Sequence, residues 1–100
     1  MDPLTTPGGP VEYRITVTGR VQGVGYRWFA RETARSLGVV GWTRNMPDGS
    51  VVLEVMAPRH AIARFVAELQ AGPPAAEVAE VRLGDREERT PLPDRFIVLR

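Results

Sequence analysis

An α+β fold is predicted, with two helices on one face of a four- to five-stranded antiparallel sheet. Three observations carry this expectation. Phe29, Ala30, Thr33, Ala34 and Leu37 recur at helical spacing, as do Ile62, Phe65, Val66 and Leu69 further on. Between these two runs lie two strand-like stretches joined through a Met-Pro-Asp-Gly turn. Another alternating stretch precedes the first helix, and two more strand-like stretches follow the second. Strands that alternate in this way bury one face, so both helices belong on the same side of the sheet.

Taken in order, Met1 to Pro10 ("MDPLTTPGGP") has three prolines, two glycines and no periodicity, and reads as a flexible tail. The domain is expected over residues 11–100. Val11, Tyr13, Ile15 and Val17 alternate with Glu12, Arg14, Thr16 and Thr18, the pattern of a strand with one buried face. The glycine-rich Gly19 to Tyr26 leads into the first helix, and Gly38 is placed just past its end. Val39 to Arg44 forms a second strand and Val51 to Met56 a third, with Met46 to Gly49 closing the hairpin. Pro58 opens the second helix and Gly72-Pro73-Pro74 stops it. Val78 to Leu83 and Phe96 to Leu99 complete the strands, with the charged Gly84 to Asp94 a surface loop. This order is that of a split βαβ, ferredoxin-like βαββαβ sandwich.

Composition narrows the function classes. Of 100 residues, 43% are hydrophobic and 25% charged, which is ordinary for a globular domain, and no 18-residue apolar run is present. A cytoplasmic location fits the absence of cysteine, which also removes disulfides, thiolate nucleophiles and the commonest zinc ligands. Net charge is only +1, so neither a nucleic-acid nor a membrane partner is indicated, and a monomer is expected. All 13 basic residues are arginine, the side chain that grips anions bidentately.

In this topology the first and second strands run the same way with the third between them, so their C-terminal ends share one edge, roughly 10 Å apart. The glycine-rich stretch leaves one strand there and Asn45 leaves the other. Gly19, Gly23 and Gly25 match neither a P-loop nor a dinucleotide fingerprint. They are either simple turns or a nest of N–H groups that binds an anion. Arg27 opposes the helix dipole unless an anion sits beside it. Arg31 and Arg35 read as a solvated basic face, and Asn45 reads on spacing alone as a turn residue. His60, Ser36 and Ser50 have no partner pattern, the acids lack metal-ligand spacing, and Trp28 and Trp42 read as core or pocket wall.

"GRVQGVGYR" followed by "GVVGWTRNMPDGSV" resembles the acylphosphatase family, and the resemblance runs over residues 11–100. It implies the same sandwich fold and a hydrolase that cleaves carboxyl–phosphate anhydrides with no cofactor and no metal. It further implies that Arg27 is catalytic and binds phosphate with the backbone N–H groups of Gln22, Gly23, Val24, Gly25 and Tyr26. It implies likewise that Asn45 is the second catalytic residue, orienting the attacking water. An acyl phosphate is then the substrate, and phosphate or sulfate should compete with it. The alternative from another class is a non-catalytic, phosphate-sensing ferredoxin-like domain, which would need the nest and the arginine but not Asn45.

Overall fold

The computed structural model describes residues 9–86 and 90–100. Most of the expected tail, Met1 to Gly8, and residues 87–89 of the loop lie outside that range. The elements run β1 (Val11–Arg20), α1 (Tyr26–Leu37), β2 (Val40–Asn45), β3 (Val51–Ala57), α2 (Arg59–Ala71), β4 (Glu77–Gly84) and β5 (Phe96–Val98). They form one sheet in the order β4-β1-β3-β2-β5, the ferredoxin-like arrangement. No helix among the described residues is long and apolar enough to cross a membrane.

One expectation needs correcting. The sheet is mixed rather than wholly antiparallel, because β5 pairs parallel with β2, Gly41 opposite Phe96 and Thr43 opposite Val98. The cause is the route of the chain after β4. Arg86, Thr90 and Pro91 share a depression with Arg14, Trp42 and Glu54, so these described parts of the connection lie over the face of the sheet opposite the helices. The chain therefore reaches the far edge running in the direction of β2.

The core lies between sheet and helices. Ile15, Val17, Leu53 and Val55 supply the sheet side, and Ala30, Ala34, Phe65 and Leu69 the helix side, all fully buried. Burying a side chain of the larger sort is worth about 1.5–3 kcal/mol, so these rows fix the register. Phe65 and the buried Phe96 meet edge to face with ring centroids 6.2 Å apart, which ties β5 to α2. The Tyr26 hydroxyl donates to the Leu69 carbonyl at 2.7 Å and joins the start of α1 to the end of α2. Burial pushes the Tyr26 phenol well above its ordinary pKa, so it remains a donor at any working pH.

Alternation along β3 predicts that Glu54 faces water, yet it is 1% exposed. Arg14 Nη1 donates to Glu54 Oε2 at 2.7 Å, and Arg86 Nε donates to Glu54 Oε1 at 2.9 Å. Arg86 also pairs with Glu12. Both oxygens of a buried carboxylate are thus satisfied, and the connection from β4 to β5 is pinned against the sheet. Removing one member strands the other charges in a poorly solvated place. Glu54→Ala should therefore lower the unfolding free energy in urea by about 3–5 kcal/mol, with Glu54→Gln losing less. A loss within about 0.5 kcal/mol, typical of a surface change, would mean that the network is not holding this face together.

Candidate active site

Between β1 and α1 the chain makes a tight turn through residues 21–25. Val21 is buried and Val24 packs against the core, so apolar anchors fix the turn from within. Gly23 and Gly25 have φ of 73° and 78°, and no non-glycine residue among those described has positive φ. An L side chain in this left-handed region costs about 1–2 kcal/mol, which is why glycine occupies both places. Alternation of left-handed and ordinary conformations turns successive N–H groups toward one side. The first helical bond of α1 runs from Phe29 N–H to the Gly25 carbonyl at 3.0 Å. The N–H groups of Gln22 to Tyr26 donate to no backbone carbonyl among the described residues. They lie at the positive end of the helix dipole, a ready position for an anion.

Register places the second half of the site. Val17 of β1 and Asn45 of β2 both stand opposite Val51 of β3, two strand spacings apart, and β1 runs on past that level to Arg20 before the glycine turn. Asn45 is the last residue of β2 rather than part of the turn. The turn itself closes through Met46 N–H to the Ser50 carbonyl at 2.8 Å and Gly49 N–H to the Met46 carbonyl at 3.1 Å. Asp48 Oδ1 accepts from Ser50 N–H at 2.9 Å and from its hydroxyl at 2.6 Å, which holds the exposed Asp48 carboxyl below its usual pKa. The hairpin therefore shapes itself without the Asn45 side chain. Asn45 Oδ1 is buried and has no hydrogen-bond partner among the described residues. A buried acceptor left so costs about 1–3 kcal/mol, and such an atom calls for a water or ligand.

Arg27, in the first turn of α1, donates from Nη1 to the Leu99 carbonyl at 2.8 Å. That bond fixes its direction and leaves other guanidinium N–H groups available. A cavity of about 470 Å³ is lined by Gly23, Gly25, Tyr26, Arg27 and Asn45 among others. Of the five residues expected to offer backbone donors, Gln22 and Val24 do not line it. Among the described residues, no three of His, Cys, Asp and Glu gather as a metal-binding group.

Several contributions were not legible in the sequence. Gln22 does its most evident work through its side chain, where Nε2 donates to the Met46 and Ser50 carbonyls, each at 2.8 Å. It thereby fastens the glycine turn to the hairpin that carries Asn45. Leu99 acts through its carbonyl, which any residue could provide. Arg35 is not simply solvated, since Nη2 donates to the Phe96 carbonyl at 3.2 Å. Of the two readings for Trp28, core or pocket wall, the structure gives the wall, with the side chain 62% exposed.

The acylphosphatase family model matches residues 13–98, which hold the glycine turn, the hairpin and every element but the start of β1. The chain belongs to the acylphosphatase family. Relatives within that family include an acylphosphatase of Thermotoga petrophila, 49% identical over 78 residues, or 78% of this chain and 83% of the relative. An acylphosphatase of Anaeromyxobacter dehalogenans is 51% identical over 73 residues, covering 73% of this chain and 78% of that one. The crystal structure of acylphosphatase from Bacillus subtilis superposes with a TM-score of 0.81 at 32% identity, over 89% of this chain and 98% of that one.

Gln22→Ala removes both bonds between turn and hairpin. It should destabilise the fold by about 1–3 kcal/mol, and each kcal/mol lowers Tm by about 4–8 °C in a domain of this size. It should also weaken inorganic phosphate binding, read by titration calorimetry. Unchanged Tm together with unchanged phosphate affinity would show that the bolt is ornamental.

Proposed function

We propose that this member of the acylphosphatase family hydrolyses acyl phosphates to a carboxylate and inorganic phosphate, with Arg27 and the N–H groups of the glycine turn holding the phosphoryl group. Asn45 positions the water that attacks phosphorus. The observation that carries this reading is the shared cavity: Arg27, Gly23 and Gly25 line one side of it, and Asn45, with its buried and unpartnered Oδ1, lines it too.

The chemistry suits such a sparse site. A carboxylate leaving group has a conjugate acid near the pKa of a free Asp or Glu, about 4, and departs without being protonated. Phosphoryl transfer in most analyses passes through a loose transition state, so the water needs placement more than deprotonation. Negative charge on the equatorial oxygens is what needs stabilising, and a fixed guanidinium with preorganised N–H donors provides that. The Asn45 carbonyl oxygen accepts a hydrogen bond from the water and so orients its lone pair. By the same argument a phosphate monoester, whose alkoxide leaves poorly, is a poor substrate. Relatives named acylphosphatase favour this reading over a phosphate sensor, and a sensor has no need of the buried acceptor of Asn45.

The two side chains should separate kinetically. Arg27 contacts the phosphate in the bound substrate and more strongly in the transition state, so Arg27→Ala should raise KM and the inhibition constant for phosphate while lowering kcat. Asn45 acts on the water, so Asn45→Ala should lower kcat by roughly 10²-fold or more with little change in phosphate inhibition. Steady-state assays with EDTA present decide the matter. Near-normal kcat for Asn45→Ala would return that residue to a structural role and bring the sensor reading forward. Activity lost to EDTA and restored by magnesium or zinc would overturn the mechanism as drawn.

A further inference from the structure

The largest apolar side chains of a small domain are normally hidden, and the exceptions identify surfaces that meet something. Among the described residues only three large hydrophobic side chains are strongly exposed: Trp28 at 62%, Leu83 at 37% and Val98 at 37%. Two of these three, Trp28 and Val98, line the cavity that holds Arg27 and Asn45. They come from different elements, α1 and β5, and reach the same mouth. Neither is used by the phosphoryl chemistry. From this we infer that Trp28 and Val98 form the subsite for the acyl group, and that it favours flat aromatic acyl groups over small aliphatic ones; the inference rests on the reading of the cavity as an acyl phosphate site.

Size agrees with this assignment. A cavity of about 470 Å³ falls in the range of roughly 300–1,000 Å³ common for small-molecule sites, far more than a phosphoryl group fills. Rigidity agrees as well. The Arg31 guanidinium lies over the Trp28 ring, 4.8 Å from its centroid, and Arg31 Nη1 donates to Glu32 Oε2 at 3.0 Å. Trp28 is thus backed by a cation that is itself held, and a ring fixed in advance loses little entropy on stacking. Arg31 also lines the cavity, so its guanidinium and the indole of Trp28 form one wall of it. A methyl group would cover little of the indole. An aryl group, joined to the phosphate through its carboxyl, covers much more and adds a ring–ring contact.

The test uses acylphosphonates, in which a carbon–phosphorus bond removes the cleavable oxygen, so that binding is read apart from turnover. By titration calorimetry the unmodified protein should bind benzoylphosphonate about tenfold more tightly than acetylphosphonate. Trp28→Ala should reduce that ratio to threefold or less, while Trp28→Phe should keep most of it. Equal affinity for the two phosphonates, or a ratio that survives Trp28→Ala, would overturn the subsite. Turnover of benzoyl phosphate by the unmodified protein reports separately on hydrolysis. Hydrolysis without phosphonate discrimination defeats the subsite alone, and discrimination without hydrolysis supports the subsite and defeats the proposed activity.

Discussion

β3 pairs antiparallel with β1 on one side and with β2 on the other, and this forces β1 and β2 to run the same way. The chain between β1 and β2 must then cross over, and α1 is the crossover. Two consequences are unavoidable. The segment leaving β1 and the residue ending β2 emerge at one edge of the sheet. The helix that must follow presents its N-terminus beside them. A cluster of free N–H groups, a cation and an amide are thus brought together by strand order alone, before any side chain is chosen for chemistry.

Holding that cluster in place requires more than topology. The glycine turn carries few apolar atoms of its own, so Val21 and Val24 anchor it beneath while Gln22 fastens it sideways. Arg27 sits where the helix dipole repels it, and the Leu99 carbonyl offsets part of that cost while setting its direction. Among the described residues no helix covers the opposite face of the sheet. There Glu54 gathers Arg14 and Arg86 and keeps the last connection in place, which in turn delivers β5 and the Leu99 carbonyl to the site.

What was legible in the sequence follows a physical rule. Repeating patterns such as the alternation in β1 and the 3.6-residue period of α1 are imposed by burial over many residues, and they survive local exceptions. The glycine turn was also legible, because positive φ restricts residue choice, whereas Asn45 read on spacing alone as a turn residue and acquired a role only through the family resemblance. The misses are single contacts with no pattern behind them. Glu54 alternates like any exposed acid, and only the distant Arg86 reveals that it is buried. Three residues are too few for β5 to declare its direction, and a carbonyl such as that of Leu99 is carried by every residue type.

The bond from Arg27 to Leu99 joins residues 72 apart in the chain. Contacts of such long range are generally among the slowest to close, because the intervening chain must be ordered first. The guanidinium is therefore aimed only once the last strand has docked, and on the role proposed for Arg27 a partly folded molecule with its helices already formed would still be inert. Catalytic competence belongs to the finished chain, so in refolding experiments the return of turnover should trail the return of helical signal.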